Sequence, residues 1–467
     1  MKKIFSNSII LIFLVSVFAS CQKDFLTLTP YTSLPPQQAL GTEADLKVAL
    51  FGAYAGLRGS DLFGRTVPVA GDEYADNAYV SVKNSGRYIQ FNTYAITVAD
   101  GNVGGFWGSA YNTILKANNI INSPLTGTAN INQYKGEAYA IRALCYFYLV
   151  RYFAKPYTDD PNSPGVPIIL TYNINQKAPR NTVAEVYTQI LSDLDKAYTN
   201  MTLFSNSGQF SKYAAKALQA KVYLYKGDNA NAKTAALDVI SNSGFTAITT
   251  TNWASYWGSG AVRTDKLETL FEVSADNLNN NGFDALTNIY NQAGYGDLLC
   301  SKDLYSLYSS TDVRLTAGYT SGTRGGVAAI FVQKYKNPNG SSDPDDTKII
   351  RLSDVYLIAA EASLPTDESS AKNYLNYVAT KRDLSFAGYT STGTQLLNDI
   401  ITERRKELAF EGDRFGDMNR LKKDISRNAT NYPPTALSLP YSDFRRLFPI
   451  PQAELDPNPN MKQNSGY

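Results

Sequence analysis

The 467-residue chain contains no histidine. That absence removes Ser-His-Asp and Cys-His nucleophiles, His-ligated zinc or haem, and imidazole pH switches. Any catalysis would rest on carboxylates, Lys, Tyr or Ser. Cysteine is scarce too: Cys21, Cys145 and Cys300 are too few for a disulfide-stapled secreted scaffold. Charge of one sign is also missing, since 44 Lys and Arg stand against 42 Asp and Glu, which leaves no electrostatic footprint for nucleic acid. No run reaches the roughly 18 uninterrupted apolar residues that a membrane-spanning helix requires.

What is present describes a globular chain. A composition of 43% hydrophobic and 18% charged residues supplies a sizeable core, and the length permits two or three domains. Tyr outnumbers Phe 33 to 21. Tyrosine suits half-wet surfaces, so the surplus points either to a broad polar contact surface or to tyrosines lining watery helix packing.

Lys2 and Lys3 precede an 11-residue apolar run, 9–19, too short to cross a bilayer and right for the core of a signal peptide. Ala19-Ser20-Cys21 is similar to a lipobox, with Phe18 where Leu is usual. Residues 1–20 are therefore the expected signal peptide and Cys21 the expected lipidation site. Loss of Lys2 and Lys3 lowers the basic count from 44 to 42, equal to the acidic count, so lipid rather than charge would hold the chain to a membrane. Residues 22–36 lack a helical period and read as part of an extended tether over 21–41. Cys145, in A-L-C-Y-F-Y-L, and Cys300, after Leu298-Leu299, read as small core residues, with a disulfide between them left open. Two isolated thiols make a poor metal site, and neither a metal nor a cofactor is expected.

A helix begins near Thr42, with Glu43 and Asp45 in its first turn and Leu46, Leu50, Ala53 and Leu57 on one face. Residues 58–104 read as an irregular, loop-rich segment. Helical periods resume at 105–122, 131–154, 182–200, 211–226, 229–242, 351–363, 368–382 and 395–411. The segments 139–144 and 213–218 share the pattern Y-A-x-[R/K]-A-L, Gly227-Asp228 supplies a tight turn, and Leu364-Pro365 marks another. Small residues at helix crossings and short turns predict a mainly all-α fold, a scaffold of tetratricopeptide-like helical hairpins carrying a loop-rich face. Any antiparallel bundle would share that spacing, and the 34-residue period is not kept. Irregular insertions fall at 155–180, 243–300 and 315–348, and the Pro-rich end, 431–467, is expected to wrap over the scaffold.

Several segments together resemble the SusD/RagB family of nutrient-binding outer-membrane lipoproteins. Cys21-Gln22-Lys23-Asp24-Phe25-Leu26 is similar to that family's mature start. Residues 139–157 (Y-A-I-R-A-L-C-Y-F-Y-L-V-R-Y-F-A-K-P-Y), followed by Gly165–Ile168, resemble another of its motifs, as do 351–362 (R-L-S-D-V-Y-L-I-A-A-E-A) and 403–420. Phe448-Pro449-Ile450-Pro451, Glu454, Asn458-Pro459 and 463–467 complete the order. The resemblance implies one compact unit, with an N-terminal region over 42–242 and a C-terminal region over 243–467. It further implies a surface lipoprotein that binds glycan or oligosaccharide and delivers it, without catalysis, to a SusC-like TonB-dependent transporter. A peptide-binding member of the same family and a surface glycoside hydrolase are the alternatives.

Glu403, Glu407 and Glu411, four residues apart, form a stripe on one helix. A glycosidase dyad must flank a sugar bond from two sides, so the stripe reads as structural, neutralised by Arg404, Arg405, Arg414 and Arg420. Asp72-Glu73, Asp159-Asp160 and Asp345-Asp346 read as solvated loop pairs. Trp107 reads as scaffold. Trp253, Tyr256 and Trp257, in T-T-N-W-A-S-Y-W-G-S-G, are either a sugar-stacking platform or a plug onto the scaffold. The resemblance places the ligand arc on the early loop and the irregular middle. The candidates there are Asp72, Asn77, Tyr79, Arg87 and Tyr94, with Tyr290, Asn291 and Tyr295.

Overall fold

The computed structural model describes residues 40–335 and 346–467. The expected signal peptide, Cys21 and most of the expected tether lie outside the described residues, as does Asp345.

Helix α1 (Glu43–Arg58) starts at a capping box, the Asp45 amide donating to Thr42 Oγ1 (3.2 Å) and the Thr42 amide to Asp45 Oδ2 (2.9 Å). The short α2 (Thr66–Glu73) is buried along its whole length. Asp100 caps α3 (Gly101–Ile121) and Thr128 caps α4 (Ala129–Phe153). From Ala140 to Phe153 every residue of α4 is buried, so this helix is enclosed on all sides. A second capping box, Thr182 with Glu185, opens α5 (Val183–Asn200). Ser211 caps α6 (Lys212–Lys226), which stops at Gly227 in the left-handed region (φ 78°), and Asp228 caps α7 (Asn229–Asn242). After the short α8 (Trp253–Trp257) and α9 (Val313–Gly318) come α10 (Leu352–Ser363), α11 (Glu368–Arg382), α12 (Gly393–Glu407) and α13 (Arg414–Arg420).

The long helices pack in chain order: α3 on α4, α4 on α5, α5 on α6, α6 on α7, α7 on α10, and α10 on α11 and α12, with α1 against α3 and α4. Among the described residues the strands form antiparallel two-stranded ribbons. They pair β1 (Ala78–Val80) with β3 (Leu298–Cys300), β2 (Thr269–Val273) with β6 (Thr347–Arg351), β4 (Tyr319–Arg324) with β5 (Val327–Val332), and β7 (Ile425–Ser426) with β8 (Ser438–Leu439). The fold is thus mainly helical, as expected.

Several local expectations are corrected. The loop expected over 58–104 contains α2 and β1. Asp72 and Glu73 are fully buried in α2 instead of solvated, and Asp346 is buried, accepting from the Ala275 amide (2.7 Å). The helix expected over 395–411 ends at Glu407, because Phe410 adopts φ 68° and Gly412 φ 86° to pass over α2, where a Cβ on Gly412 would come within 2.8 Å of Pro68 Cα. Cys145 and Cys300 are free and buried, so they do not pair.

The glutamate stripe enters ion pairs, but not with the arginines expected: Lys406 reaches Glu403 (3.1 Å) from the same helix, and the other partners are distant in sequence. Arg351 binds Glu268 (2.8 Å), Glu407 (2.9 Å) and Glu411 (2.8 Å). Arg382 binds Glu407 (3.0 Å), Arg314 binds Glu403 (2.6 Å) and Glu407 (3.0 Å), and Lys334 binds Glu411 (2.5 Å). Arg404 instead turns to Asp354 and Asp417, Arg405 and Arg414 to Asp76, and Arg420 to Glu361 and Asp417. Consecutive helical residues project about 100° apart, so Arg404 faces away from Glu403 and meets different elements. Burial alone would raise the Glu407 carboxyl; Arg382, Arg351 and Arg314 outweigh it and hold the group well below the usual carboxylate range. Glu407→Gln should therefore cost about 3–5 kcal/mol in urea unfolding, the range for breaking a buried pair from one side. A loss below about 1 kcal/mol would contradict the central place given to this carboxylate.

Candidate functional site

The predicted site residues divide into a buried support and an exposed face. Asp72 sits in α2 and receives Asn77 Nδ2 (2.7 Å) and the amides of Phe410 (3.0 Å) and Gly412 (2.7 Å). Asn77 Oδ1 accepts from Arg405 Nε (2.8 Å). Tyr79, on β1, packs with Leu299, Phe331 and Tyr432. Tyr94 lies beneath the Arg427 guanidinium, 3.8 Å from its ring centre, and Tyr290 stacks on Tyr335 at 6.0 Å. None of these five presents a ring face or a free polar group to solvent; they fasten the 410–412 turn, β1 and β3 to the scaffold.

Trp253, Tyr256 and Trp257 are likewise inside. Both tryptophans are 3% exposed and pack with Ile248, Leu267, Val313 and Ala317. The Trp257 ring lies under Lys334 (4.6 Å) and Arg351 (5.3 Å). A stacking platform needs an open ring face, and these rings spend theirs on α9 and the ion-pair network. The platform expectation is corrected in favour of the plug. Trp107, expected as scaffold, is buried in α3 with Nε1 donating to Glu454 (3.1 Å).

Arg87, Asn291 and Tyr295 are half-buried at the edge of the surface, and the fold brings the first and last together. The guanidinium of Arg87 lies 4.1 Å from the Tyr295 ring centre, while Nη1 donates to Ser85 Oγ (2.8 Å) and Nη2 to Asp284 (3.0 Å). Asp284 also receives Arg65 Nη1 (2.6 Å). Beside Tyr295 stands Phe283, 63% exposed, with ring centres 6.5 Å apart. Asn291 Oδ1 is turned back to the Ala293 amide (2.9 Å). The face is rigidified from the β4–β5 turn: Arg324 donates to the carbonyls of Lys83 (3.1 Å), Gln292 (3.4 Å) and Tyr295. Gly296 permits this, since its φ of 54° would strain other residues and a Cβ would meet the guanidinium at 3.1 Å.

Phe283, Asp284 and Arg324 were missed from sequence. An isolated aromatic within N-N-N-G-F-D and an arginine before Gly325-Gly326 were the available signals, since turn residues bring their neighbours to the surface. The chemistry gathered here is two aromatic rings beside a guanidinium held in place by a carboxylate, which suits recognition of a flat ligand bearing hydroxyls or amides.

Fold and face describe a helical scaffold that presents a tied-down loop surface, and comparison with known proteins places it. Residues 316–467 match the SusD family model, and residues 24–224 match a model described as starch-binding, associating with outer membrane. SusD-like protein P2 of Formosa agariphila is 29% identical over 495 residues, covering 94% of this chain and 95% of the relative. The crystal structure of a SusD superfamily protein from Bacteroides thetaiotaomicron is 30% identical with a TM-score of 0.83, over 91% of this chain and 99% of that one. A laminarin-binding SusD-like protein, 23% identical, shares the fold at a TM-score of 0.72, over 91% of this chain and 99% of its own. The chain belongs to the SusD family, of which one matched model is described as starch-binding and one solved member as laminarin-binding.

The lack of histidine gives the buried carboxylates a measurable signature. Burial pushes Asp72 from 3.8 up to about 7 and Glu137 from 4.5 up to about 7, and holds Glu73 well above the usual carboxylate range. Folded protein then holds protons that the unfolded chain has lost above pH of about 5, so stability is greatest at the acid side and falls as pH rises toward 7. With no imidazole present, the unfolding midpoint should drop between pH 5 and pH 8, and Glu137→Gln should reduce the drop. An unchanged drop in that variant would contradict the assignment.

Proposed function

We propose that this protein is a surface-exposed outer-membrane lipoprotein that binds glycan or its oligosaccharides and delivers them, uncleaved, to a SusC-like TonB-dependent transporter. The observation that carries the binding role is the Arg87–Tyr295–Phe283 cluster, an exposed Phe283 ring beside half-buried Tyr295 and Arg87, with Asp284 holding the Arg87 guanidinium and Arg324 the Tyr295 backbone carbonyl. A ring face for the apolar side of a pyranose and a guanidinium for its hydroxyls are the elements that a neutral sugar requires. The starch-binding family model matched by residues 24–224 supports the ligand class. In this reading residues 1–20 are the signal peptide, 21–41 the lipidated tether anchored at Cys21, and 42–242 and 243–467 two regions of one unit. No helix of the described residues is long and apolar enough to cross a membrane, which fits attachment through lipid.

Delivery without cleavage is supported by the commitment of the carboxylates. Asp284, at the exposed face, is engaged by two arginines, and Glu403 and Glu407 are enclosed in ion pairs. A glycosidase needs two carboxyls free to flank the scissile bond.

Screening on a glycan array followed by calorimetry with the best oligosaccharide tests the reading. Arg87→Ala combined with Tyr295→Ala should weaken binding at least about tenfold in a protein that still unfolds cooperatively, with only a modest drop in the unfolding midpoint from the half-buried Tyr295 ring and the Arg87–Asp284 pair. Unaltered affinity would discard this face. Sustained release of new reducing ends would overturn the binding-only role, and enrichment of peptides with no glycan bound would favour a peptide ligand.

A further inference from the structure

A second concavity lies away from the loop face and shares no lining residue with it. It is a cleft of about 680 Å³ between the segment after α4, Arg180 and the C-terminal wrap, a size typical of small-molecule sites. Its charges do not balance. The two acids on its wall are already paired, Asp159 with Lys422 (3.1 Å) and Asp443 with Arg445 through two bonds (2.9 and 2.6 Å). Lys155, Arg180 and Arg446 also line it, and among the described residues none of the three has a carboxylate within ion-pair distance.

Both arginines are held by neutral groups. Arg180 donates to the carbonyls of Phe153 (2.9 Å), Pro164 (2.7 Å), Gly165 (2.6 Å) and Lys462 (3.2 Å) and to Asn464 Oδ1 (2.8 Å). Burial lowers its pKa to about 10, the mark of a guanidinium short of compensating charge. Arg446, 3% exposed, donates from Nε to Asn419 Oδ1 (2.7 Å) and from Nη1 to the carbonyls of Lys423 (3.0 Å) and Leu439 (3.1 Å). Its Nη2 is buried without a hydrogen-bond partner, and Asp424 attracts it only from beyond ion-pair distance. The treatment differs from that of Arg351, Arg382, Arg404 and Arg420, each of which the same fold pairs directly with carboxylates.

We propose that this cleft binds the carboxylate of an acidic saccharide, a uronate unit, at Lys155 on its rim and against the charge of Arg446 in its wall. An anion would supply the countercharge that Arg180 and Arg446 lack, with the exposed Lys155 ammonium as its charge-assisted donor. The remaining wall suits a sugar ring more than a bare ion. Phe444 is 43% exposed at the rim, its ring seated against Gly466 and 5.0 Å from that of Tyr467. Ser442 and Ser465 add exposed hydroxyls. This site goes beyond the loop-face reading and stands or falls separately from it.

Calorimetry on the protein carrying Arg87→Ala and Tyr295→Ala, which removes the loop face from the readout, compares trigalacturonate, maltotriose and sodium sulfate. Trigalacturonate should bind at least about tenfold more tightly than maltotriose and be displaced by sulfate. Lys155→Glu, at an exposed position, should weaken it severalfold without altering the unfolding midpoint, and Arg446→Lys should weaken it further where that variant folds. Equal affinity for the acidic and neutral trisaccharides, sulfate binding without trigalacturonate binding, no binding of any probe, or an unaffected Lys155→Glu variant would each overturn the proposal.

Discussion

A buried ion-pair network centred on Arg351 and Glu407 joins parts of the chain that no local interaction could hold together. Arg351 closes β6, Arg382 ends α11, Arg314 comes from α9, and Glu407 ends α12. Each charge is intelligible only with the others in place, since a lone buried guanidinium or carboxylate is costly and the full set nearly compensates itself. The network also sets the path of the 408–412 turn, because Arg351 and Lys334 grip Glu411 while Lys334 holds the carbonyls of Glu407 and Ala409.

That turn connects the interior to the surface. The amides of Phe410 and Gly412 end on Asp72, Asn77 bridges Asp72 to Arg405, and β1 follows immediately. β1 pairs with β3, and the two lead to the loops that carry Arg87 and Tyr295. The exposed face is therefore positioned by rigid, buried polar contacts several residues behind it. Preorganisation of this kind lets surface side chains recognise a ligand without first being ordered.

The helices were legible because their signals are local. Thr42, Thr182, Ser211 and Asp228 each cap the helix expected beside them, and Gly227 makes the turn read at that position. Helix α2 was not legible, for T-V-P-V-A-G-D-E holds a proline and a glycine, and Gly71 is required only because Gly412 lies against it. The glutamate stripe was readable as structural, but its partners were not, since Arg314 lies 89 residues from Glu403 and Arg351 lies 56 from Glu407. At the candidate site, the segments on either side of Arg87 and Tyr295 could be singled out, whereas which tyrosines face inward could not. Tyr79, Tyr94 and Tyr290 sit in the same polar sequence context as Tyr295, and only tertiary cover separates them. The same holds for Trp253 and Trp257, whose Asn-, Ser- and Gly-rich neighbours conceal a packed helical turn.

Amide hydrogen exchange of the protein, with and without the tightest glycan found by array, measures directly whether a preorganised loop face on a fixed scaffold captures the ligand. Protection confined chiefly to residues 82–88 and 281–296, with the oligosaccharide recovered intact, is the predicted result. Protection elsewhere with no change in those two segments would contradict it.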